Sequence, residues 1–361
     1  MANDRILQVG VLGATGTVGQ RFIVLLSEHP FMRIHSLGAS ERSAGKAYAE
    51  ATRWKMQERM PDQVRDILVK SCDPMHFDGC DLVFSGLDAS VAGDIEKAFL
   101  TAGIPVFSNA KNYRMAPEVP LVVPVVNSEH MSLIDHQRRV YGSGKGFVVT
   151  NSNCSTSGLV VALKALHTKV APIRRVVVTT LQAISGAGYP GVASLDILDN
   201  IVPYIGGEEP KMEAEVNKIL GNVNPSATAF TPLPDVKVSA TCNRVPVVDG
   251  HTECVSVEFA TETPPSLEAI EDAFKSYRCE AQDLGCPSAP EQVIYVAKEA
   301  DRPQPRLDRD AGKGMSVTIG RIRECPVFHV KFTLLVHNTV LGAAGASILN
   351  AELALKKNYL S

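Results

Sequence analysis

The sequence predicts an α/β protein: a doubly wound N-terminal domain, then an α+β domain with a largely antiparallel sheet. Three observations carry this. Short apolar runs alternate with helical patterns through the N-terminal part. A glycine turn, Gly13-Ala14-Thr15-Gly16-Thr17-Val18-Gly19, joins the first run to the first helix. Beyond Cys154 the runs instead alternate apolar and polar residues, as in a sheet with one covered face. The first two features make the N-terminal domain Rossmann-like.

The elements follow in order. Ile6 to Leu12 is the first strand, and Phe22, Ile23, Leu25 and Leu26 mark the apolar side of the first helix. Arg33 to Ala39 is the second strand. Leu82 to Ser85 and Val106 to Ser108 are later strands, with a helix near Ala92 to Ala102 between them. Phe147 to Val149 is a strand that runs into Thr150-Asn151-Ser152-Asn153-Cys154-Ser155-Thr156-Ser157-Gly158, a turn and N-cap signal. A helix pattern (Leu159, Ala162, Leu163, Leu166) follows. In the second part, strands are expected at Val176 to Leu181, Thr252 to Ala260, Ser316 to Arg323 and Val327 to Val336. Asp301 to Gly314, rich in Pro, Arg, Asp and Gly, reads as a loop or contact arm. Leu341 to Leu360 is an Ala/Leu-rich helix. The domains are expected at 1–154, completed by the C-terminal helix 338–361, and at 155–337.

Composition narrows the class. The chain has 361 residues, 45% hydrophobic and 21% charged, as a globular protein does. A net charge of -3 with no block of like charges gives no case for nucleic acid. No apolar run is long enough to cross a membrane. Met1 to Arg5 runs straight into a strand pattern, so no signal peptide is expected. The eight cysteines are dispersed without a CxxC pair, which fits reduced thiols in a cytoplasmic protein and no structural metal.

The glycines at 10, 13, 16 and 19 give GxxGxxG, not the commoner GxGxxG. Between a strand and a helix, such a turn lets backbone amides meet a pyrophosphate. The alternative is a plain tight turn. About 20 residues further on, dinucleotide sites read the ribose. Here the chain has Ala39-Ser40-Glu41-Arg42-Ser43. Ser40, Arg42 and Ser43 suit a 2′-phosphate, and Glu41 keeps the plain ribose open as a second reading.

Cys154 lies at a strand-to-helix junction, where free amides and the helix dipole favour an anion. A thiol there is expected to lose its proton more readily and become a nucleophile, and the same amides suit an oxyanion. The bland reading is a cysteine packed as a small hydrophobe. A nucleophile needs an acid/base partner, and nine histidines are available. The segment Asn243-Arg244-Val245-Pro246-Val247-Val248-Asp249-Gly250-His251 stands out. Asp249-Gly250 is a turn signal that sets Arg244 and His251 on neighbouring limbs of one bend. Arginine offers a planar fork for a carboxylate.

These motifs resemble the aspartate-β-semialdehyde dehydrogenases of the fungal and archaeal branch. The likeness covers nearly the whole chain. It rests on the glycine turn, Ser152-Asn153-Cys154-Ser155, Gln182-Ala183-Ile184-Ser185-Gly186-Ala187-Gly188, Glu208-Glu209-Pro210-Lys211, Arg244-Val245-Pro246, Gly250-His251 and Asn338-Thr339-Val340-Leu341-Gly342-Ala343-Ala344. The resemblance implies that Cys154 is the nucleophile, His251 the general acid/base and Gln182 the residue that orients the covalent intermediate. It implies Arg244 for the substrate carboxylate and Glu208, or its neighbour Glu209, for the amino group. Lys211 and Arg114, with Asn112 beside them, are implied for phosphate. For the cofactor it implies Gly13, Thr15, Gly16, Thr17, Val18, Ser40, Arg42, Ser43, Ser85, Gly186, Asn338 and Gly342.

The activity so implied is NADPH-dependent reduction of L-β-aspartyl phosphate to aspartate semialdehyde through a cysteine thioester, in threonine, methionine and lysine biosynthesis. A homodimer or homotetramer is expected. A related N-acetyl-glutamyl-phosphate or malonyl-CoA reductase is the nearest alternative. A Cys–His hydrolase or a nucleotide-binding regulator stands further off, because neither uses both the glycine turn and Cys154.

Overall fold

In the computed structural model, residues 5–233 and 236–360 are described. Of the N-terminal segment discussed above, Met1 to Asp4 lie outside them.

Six strands form the first sheet: β1 (Leu7–Leu12), β2 (Met32–Ala39), β3 (Val69–Ser71), β4 (Leu82–Ser85), β5 (Val106–Ser108) and β6 (Val148–Thr150). Their order is β3-β2-β1-β4-β5-β6, and every pair is parallel. The order reverses between β1 and β4, the switch point where doubly wound sheets take ligands at their carboxyl ends. The strands are apolar on both faces because helices cover both. These helices are α1 (Thr17–Ser27), the single turn α2 (Tyr48–Ala51), α3 (Ala89–Thr101) and α4 (Ile134–Tyr141). Phe22 of α1 stacks on Phe84 of β4 with ring centroids 5.0 Å apart.

β6 feeds α5 (Cys154–Lys169), which leaves the first sheet and packs on the second. Buried residues on nearly every side of α5 explain its almost continuous run of small and apolar side chains. The second sheet is built from β7 (Ile173–Gln182), β10 (Lys237–Arg244), β11 (His251–Phe259), β12 (Ile294–Val296), β13 (Val317–Glu324) and β14 (Val330–Val336). A separate hairpin, β8 (Asn222–Val223) with β9 (Phe230–Thr231), lies before β10. The sheet order is β10-β7-β11-β14-β13-β12. Its three inner pairings are antiparallel, but both edge pairings, β10 with β7 and β12 with β13, are parallel. The sheet is therefore mixed, antiparallel through its interior as expected and parallel only at its two edge pairings. β7 reaches its parallel partner β10 through a crossover that includes α6 (Ser194–Ile197) and α7 (Glu208–Ile219), and α7 packs on β10.

Short helices α8 (Leu267–Lys275), α9 (Glu280–Asp283) and α10 (Pro305–Asp308) follow. The segment 301–314, expected as a loop, holds α10 and a 3-10 turn at Ala311–Gly314. The chain ends in a π-helical turn (Val340–Ala344) that runs into α11 (Gly345–Lys356). The terminal helix thus begins with i to i+5 bonds, among them Gly342 N–H to His337 O at 3.0 Å, Ala344 N–H to Thr339 O at 3.2 Å and Gly345 N–H to Val340 O. α11 then packs back on β5 and α1 of the first sheet.

Candidate active site

A cleft of about 1280 Å³ runs between the two sheets. One end is the switch point of the first sheet. Gly13, Ser40, Gly86 and Asn109, each just past the carboxyl end of β1, β2, β4 or β5, line it. Gly13 sits at φ +74°, in the left-handed region where glycine is favoured. A Cβ on Gly19 would lie 2.2 Å from the Gly13 carbonyl oxygen, so only glycine lets the turn close against α1. Gly16 caps α1 without a side-chain bond, which leaves the first amides of the helix open toward the cleft. Thr15, Gly16, Thr17 and Val18 line this end, and so do Ser40, Arg42 and Ser43. The glycine turn therefore has the shape a pyrophosphate needs.

The other end is where three strands stop side by side. In register, Arg244 at the end of β10 lies opposite Gln182 at the end of β7, and Thr252 of β11 lies opposite Leu181. Arg244 and His251 thus flank β7. They are not limbs of one hairpin, because β7 lies between β10 and β11. Cys154, first residue of α5, meets this row from below. Its Sγ is 3.1 Å from His251 Nε2. The Ala183 backbone N–H donates to His251 Nδ1 at 3.0 Å, so a neutral ring carries its proton on Nε2, facing sulfur. Burial, then Arg244 and His337, push the imidazole down to about 3, so the ring is neutral at physiological pH.

Cys154 departs from the expectation of an easily ionised thiol. Burial first, then Glu208, push it up to about 12, while Arg244, Arg114 and the Ser155 amide pull the other way. The residue is only half-buried and opens on the cleft, so water reaches the sulfur and weakens the burial effect. Asn153 caps its helix, accepting from Ser155 N–H at 3.0 Å and Thr156 N–H at 3.2 Å. Those two amides are therefore occupied by the cap.

Charged groups surround the pair. Arg244 is buried and donates from Nη1 to the Ala183 carbonyl at 2.7 Å. Gly186 packs against it: a Cβ there would lie 2.9 Å from Arg244 Nη1 and 3.3 Å from His251 Cε1. Glu208, at the start of α7, accepts from Lys211 Nζ at 2.8 Å and from Asn153 Nδ2 at 2.6 Å. Burial works to raise its pKa, but Lys211 and Asn153 outweigh it and hold the carboxyl below its ordinary value. Gln182 Nε2 donates to Thr180 Oγ1 at 3.3 Å. Arg114 reaches the cleft with Nη1 on Glu215 at 3.0 Å and Nη2 on the Asn109 carbonyl at 2.9 Å. Asn338 ties the turn after β7 to the start of β11, donating to Ser185 Oγ and accepting from Gly250 N–H, both at 2.8 Å. Gly342 lets the π turn approach, since a Cβ there would lie 3.0 Å from Cys154 Cβ.

Two expected residues lie elsewhere. Asn112 is exposed and donates to the Ala89 carbonyl at 3.0 Å, beside the cleft but not lining it. Asn109 and Lys111 take that place. Ser85 is sealed in the core, donating to Glu96 Oε1 at 2.7 Å, and Gly86 is the lining residue. Ser85 is the last residue of β4, and Asn112 lies in the loop beyond β5. The rule that ligands meet the first residues past a parallel strand points to Gly86 and Asn109. Lys46, Arg53 and Lys55 also line the cleft and were not singled out. Lys46 was visible four residues beyond Arg42. Arg53 and Lys55 depend on Gln20, whose amide bonds the Arg53 carbonyl and the Lys55 N–H, and no local pattern reveals that.

A switch-point glycine turn at one end of the cleft and a Cys–His pair at the other fit the class of nucleotide-dependent dehydrogenases. Comparison with known proteins narrows the class. Residues 8–134 match the family model of the semialdehyde dehydrogenase NAD binding domain, and residues 163–341 match that of its dimerisation domain. The aspartate-semialdehyde dehydrogenase of Cryptococcus neoformans is 58% identical over 98% of this chain and 98% of the relative. That of Archaeoglobus fulgidus is 52% identical over 98% and 99%. The crystal structure of aspartate semialdehyde dehydrogenase with NADP from Candida albicans superposes with a TM-score of 0.91, at 55% identity over 98% of this chain and 99% of that one. The chain belongs to the aspartate-semialdehyde dehydrogenase family. Among its described residues no helix is long and apolar enough to cross a membrane.

Proposed function

We propose that the protein reduces L-β-aspartyl phosphate to L-aspartate 4-semialdehyde with NADPH, releasing phosphate. The observation that carries this reading is the 3.1 Å pairing of Cys154 Sγ with His251 Nε2 in a cleft continuous with the glycine turn. Residues 1–154 with 338–361 form the cofactor domain in this reading, and 155–337 the substrate and dimerisation domain. The open amides around Gly16 hold the pyrophosphate, and Ser40, Arg42 and Ser43 hold the 2′-phosphate, with Lys46 beside them. Gly186, Asn338 and Gly342 face the nicotinamide end. NADPH supplies the hydride that reduces the enzyme-bound acyl group.

The chain supplies the rest. The substrate carries a carboxylate, an ammonium and a phosphate. Arg244 forks the carboxylate, Glu208 takes the ammonium, and Lys211 with Arg114 takes the phosphate. Cys154 thiolate attacks the acyl carbon, the carbon–oxygen bond to phosphate breaks, and a thioester remains. Gln182 orients it. After reduction, the thiohemiacetal oxygen re-forms a carbonyl, the carbon–sulfur bond breaks and its electron pair returns to Cys154. His251 serves as acid/base, its Nε2–H placed toward the oxygen or sulfur that carries the charge. A symmetric homodimer or homotetramer in the cytoplasm completes the proposal. The outer face of the second sheet, with Val177 and Cys254 exposed, supports pairing there. The test is reverse turnover with aspartate semialdehyde, phosphate and NADP⁺. NADPH should appear only when all three are present, and its absence overturns the reading.

A further inference from the structure

α7 carries a polar stripe at Glu208, Lys211, Glu215 and Lys218, spacings that fall on one face of a helix. The front two residues line the cleft, and the rear two do not. Glu215 is 2% exposed. Its Oε1 accepts from Arg114 Nη1 at 3.0 Å, and its Oε2 accepts from the backbone N–H of Asn153 at 2.6 Å. Asn153 is the cap of the helix that begins with Cys154. One carboxylate therefore joins an arginine of the first domain to the backbone immediately before the nucleophile. Lys218, one turn on, donates to the carbonyls of Arg114 and Ala116 at 2.7 Å and of Val119 at 3.0 Å. It pins the same Arg114 segment without touching the cap.

We propose that Glu215 is a positioning residue that fixes the phosphate-binding arginine and the nucleophile's helix cap in one register. The inference rests on the reading of Arg114 as a phosphate contact and Cys154 as the nucleophile. Its physical basis is the compactness of an acyl phosphate. The carbon under attack and the phosphorus share one bridging oxygen, so the sulfur and the phosphate site must hold a fixed separation. Arg114 lies in the loop after β5 and Cys154 opens α5, and the Glu215 carboxylate, reaching in from the second domain, links their supports through two hydrogen bonds. Misplacement by an ångström costs roughly 10²-fold in rate. Both oxygens are engaged, one by Arg114 and the other by the cap backbone.

Glu215→Gln is the decisive variant. The amide keeps the shape but turns one acceptor into a donor that faces either the Arg114 guanidinium or the Asn153 N–H. Full kinetics are measured in the semialdehyde, phosphate and NADP⁺ direction, and iodoacetamide alkylation of Cys154 is followed across pH without substrates. Glu215→Gln should raise KM for phosphate by about tenfold or more and lower kcat, with KM for NADP⁺ within about twofold. The pH dependence of Cys154 alkylation should also shift. Lys218→Met should raise KM for phosphate and leave alkylation as in the wild type, because it touches only the Arg114 side. A purely structural role would lower the folded fraction and move neither the phosphate KM nor the alkylation profile. If Glu215→Gln does not fold, Glu215→Asp, which keeps the charge on a shorter stem, should show the same phosphate-specific loss. Unchanged phosphate KM and unchanged alkylation in whichever variant folds overturn the proposal. Failure of the functional reading looks different: the wild-type enzyme itself then gives no phosphate-dependent turnover.

Discussion

Cys154 is held between opposing influences: burial and Glu208 favour the thiol, while Arg244, Arg114 and the Ser155 amide favour the thiolate. Cys154→Ala should therefore abolish turnover without loss of fold, and Cys154→Ser should retain little, because a hydroxyl barely ionises at neutral pH. A residual rate in Cys154→Ala above about a hundredth of wild type contradicts the thioester route. The neighbouring roles separate by kinetics. Arg244→Lys replaces a fork by a point charge and should raise KM for the semialdehyde while KM for NADP⁺ stays. His251→Asn removes the Nε2–H that faces sulfur and should lower kcat by about 10²–10⁴-fold at nearly unchanged KM. Gly186 tests the geometry further. Its added Cβ would press on Arg244 Nη1 at 2.9 Å and on His251 Cε1 at 3.3 Å. Gly186→Ala should thus impair semialdehyde use more than NADP⁺ use, although the family resemblance assigns this glycine to the cofactor. Equal rises in both Michaelis constants would show that the added Cβ disturbs the nicotinamide end as much as the carboxylate site.

At the scale of elements, the site depends on strand ends and helix starts. Asn153→Ala removes the acceptor for two α5 amides and the donor to Glu208, and should cost about 1 kcal/mol, read as a lower melting temperature. Most of the first domain was legible because its strands, apart from the short and polar β3 (Val69-Lys70-Ser71), are apolar runs followed by turns, and the glycine spacing marks the switch point. β10 was not legible. Lys237-Val238-Ser239-Ala240-Thr241-Cys242-Asn243-Arg244 pairs only with β7 and the isolated Val202 bridge, so edge placement left it few large apolar side chains. Without β10 the segment from Arg244 to His251 reads as a hairpin bend. The two side chains do end near Gln182, but because β7 separates their strands. The π turn was equally hidden. It lies where Gly342 meets Cys154, a contact between residues far apart in sequence. Glu215 and Lys218 escaped for the same reason, since their partners lie 62 to 104 positions away and only the fold brings them together.

The whole molecule holds together through α5 and α11, which leave one sheet and pack on the other side of the cleft, and it encloses several ionisable groups on the way. Glu253 is the extreme case. It lies in register between Thr180 of β7 and Leu334 of β14, fully buried, two residues from His251, and among the described residues neither of its oxygens has a hydrogen-bond partner. Burial raises its pKa well above the ordinary carboxyl value. The sign of the consequence follows from proton counts. Below the unfolded value, about 4.3, both states hold the proton and the group adds no pH dependence. As pH rises past that value, the unfolded chain loses its proton while the folded chain keeps it. The unfolded state then binds fewer protons, so stability falls with rising pH until the buried group itself ionises. Glu253→Gln keeps the shape and removes the titration. Its stability relative to wild type should grow between about pH 5 and pH 8, by up to about 1.4 kcal/mol per pH unit. Urea denaturation of both proteins at pH 5, 6, 7 and 8 measures the difference. A constant difference across that series would show that Glu253 has the same proton occupancy in the folded and unfolded chains, and hence that the space between β11 and α5 is solvated rather than dry.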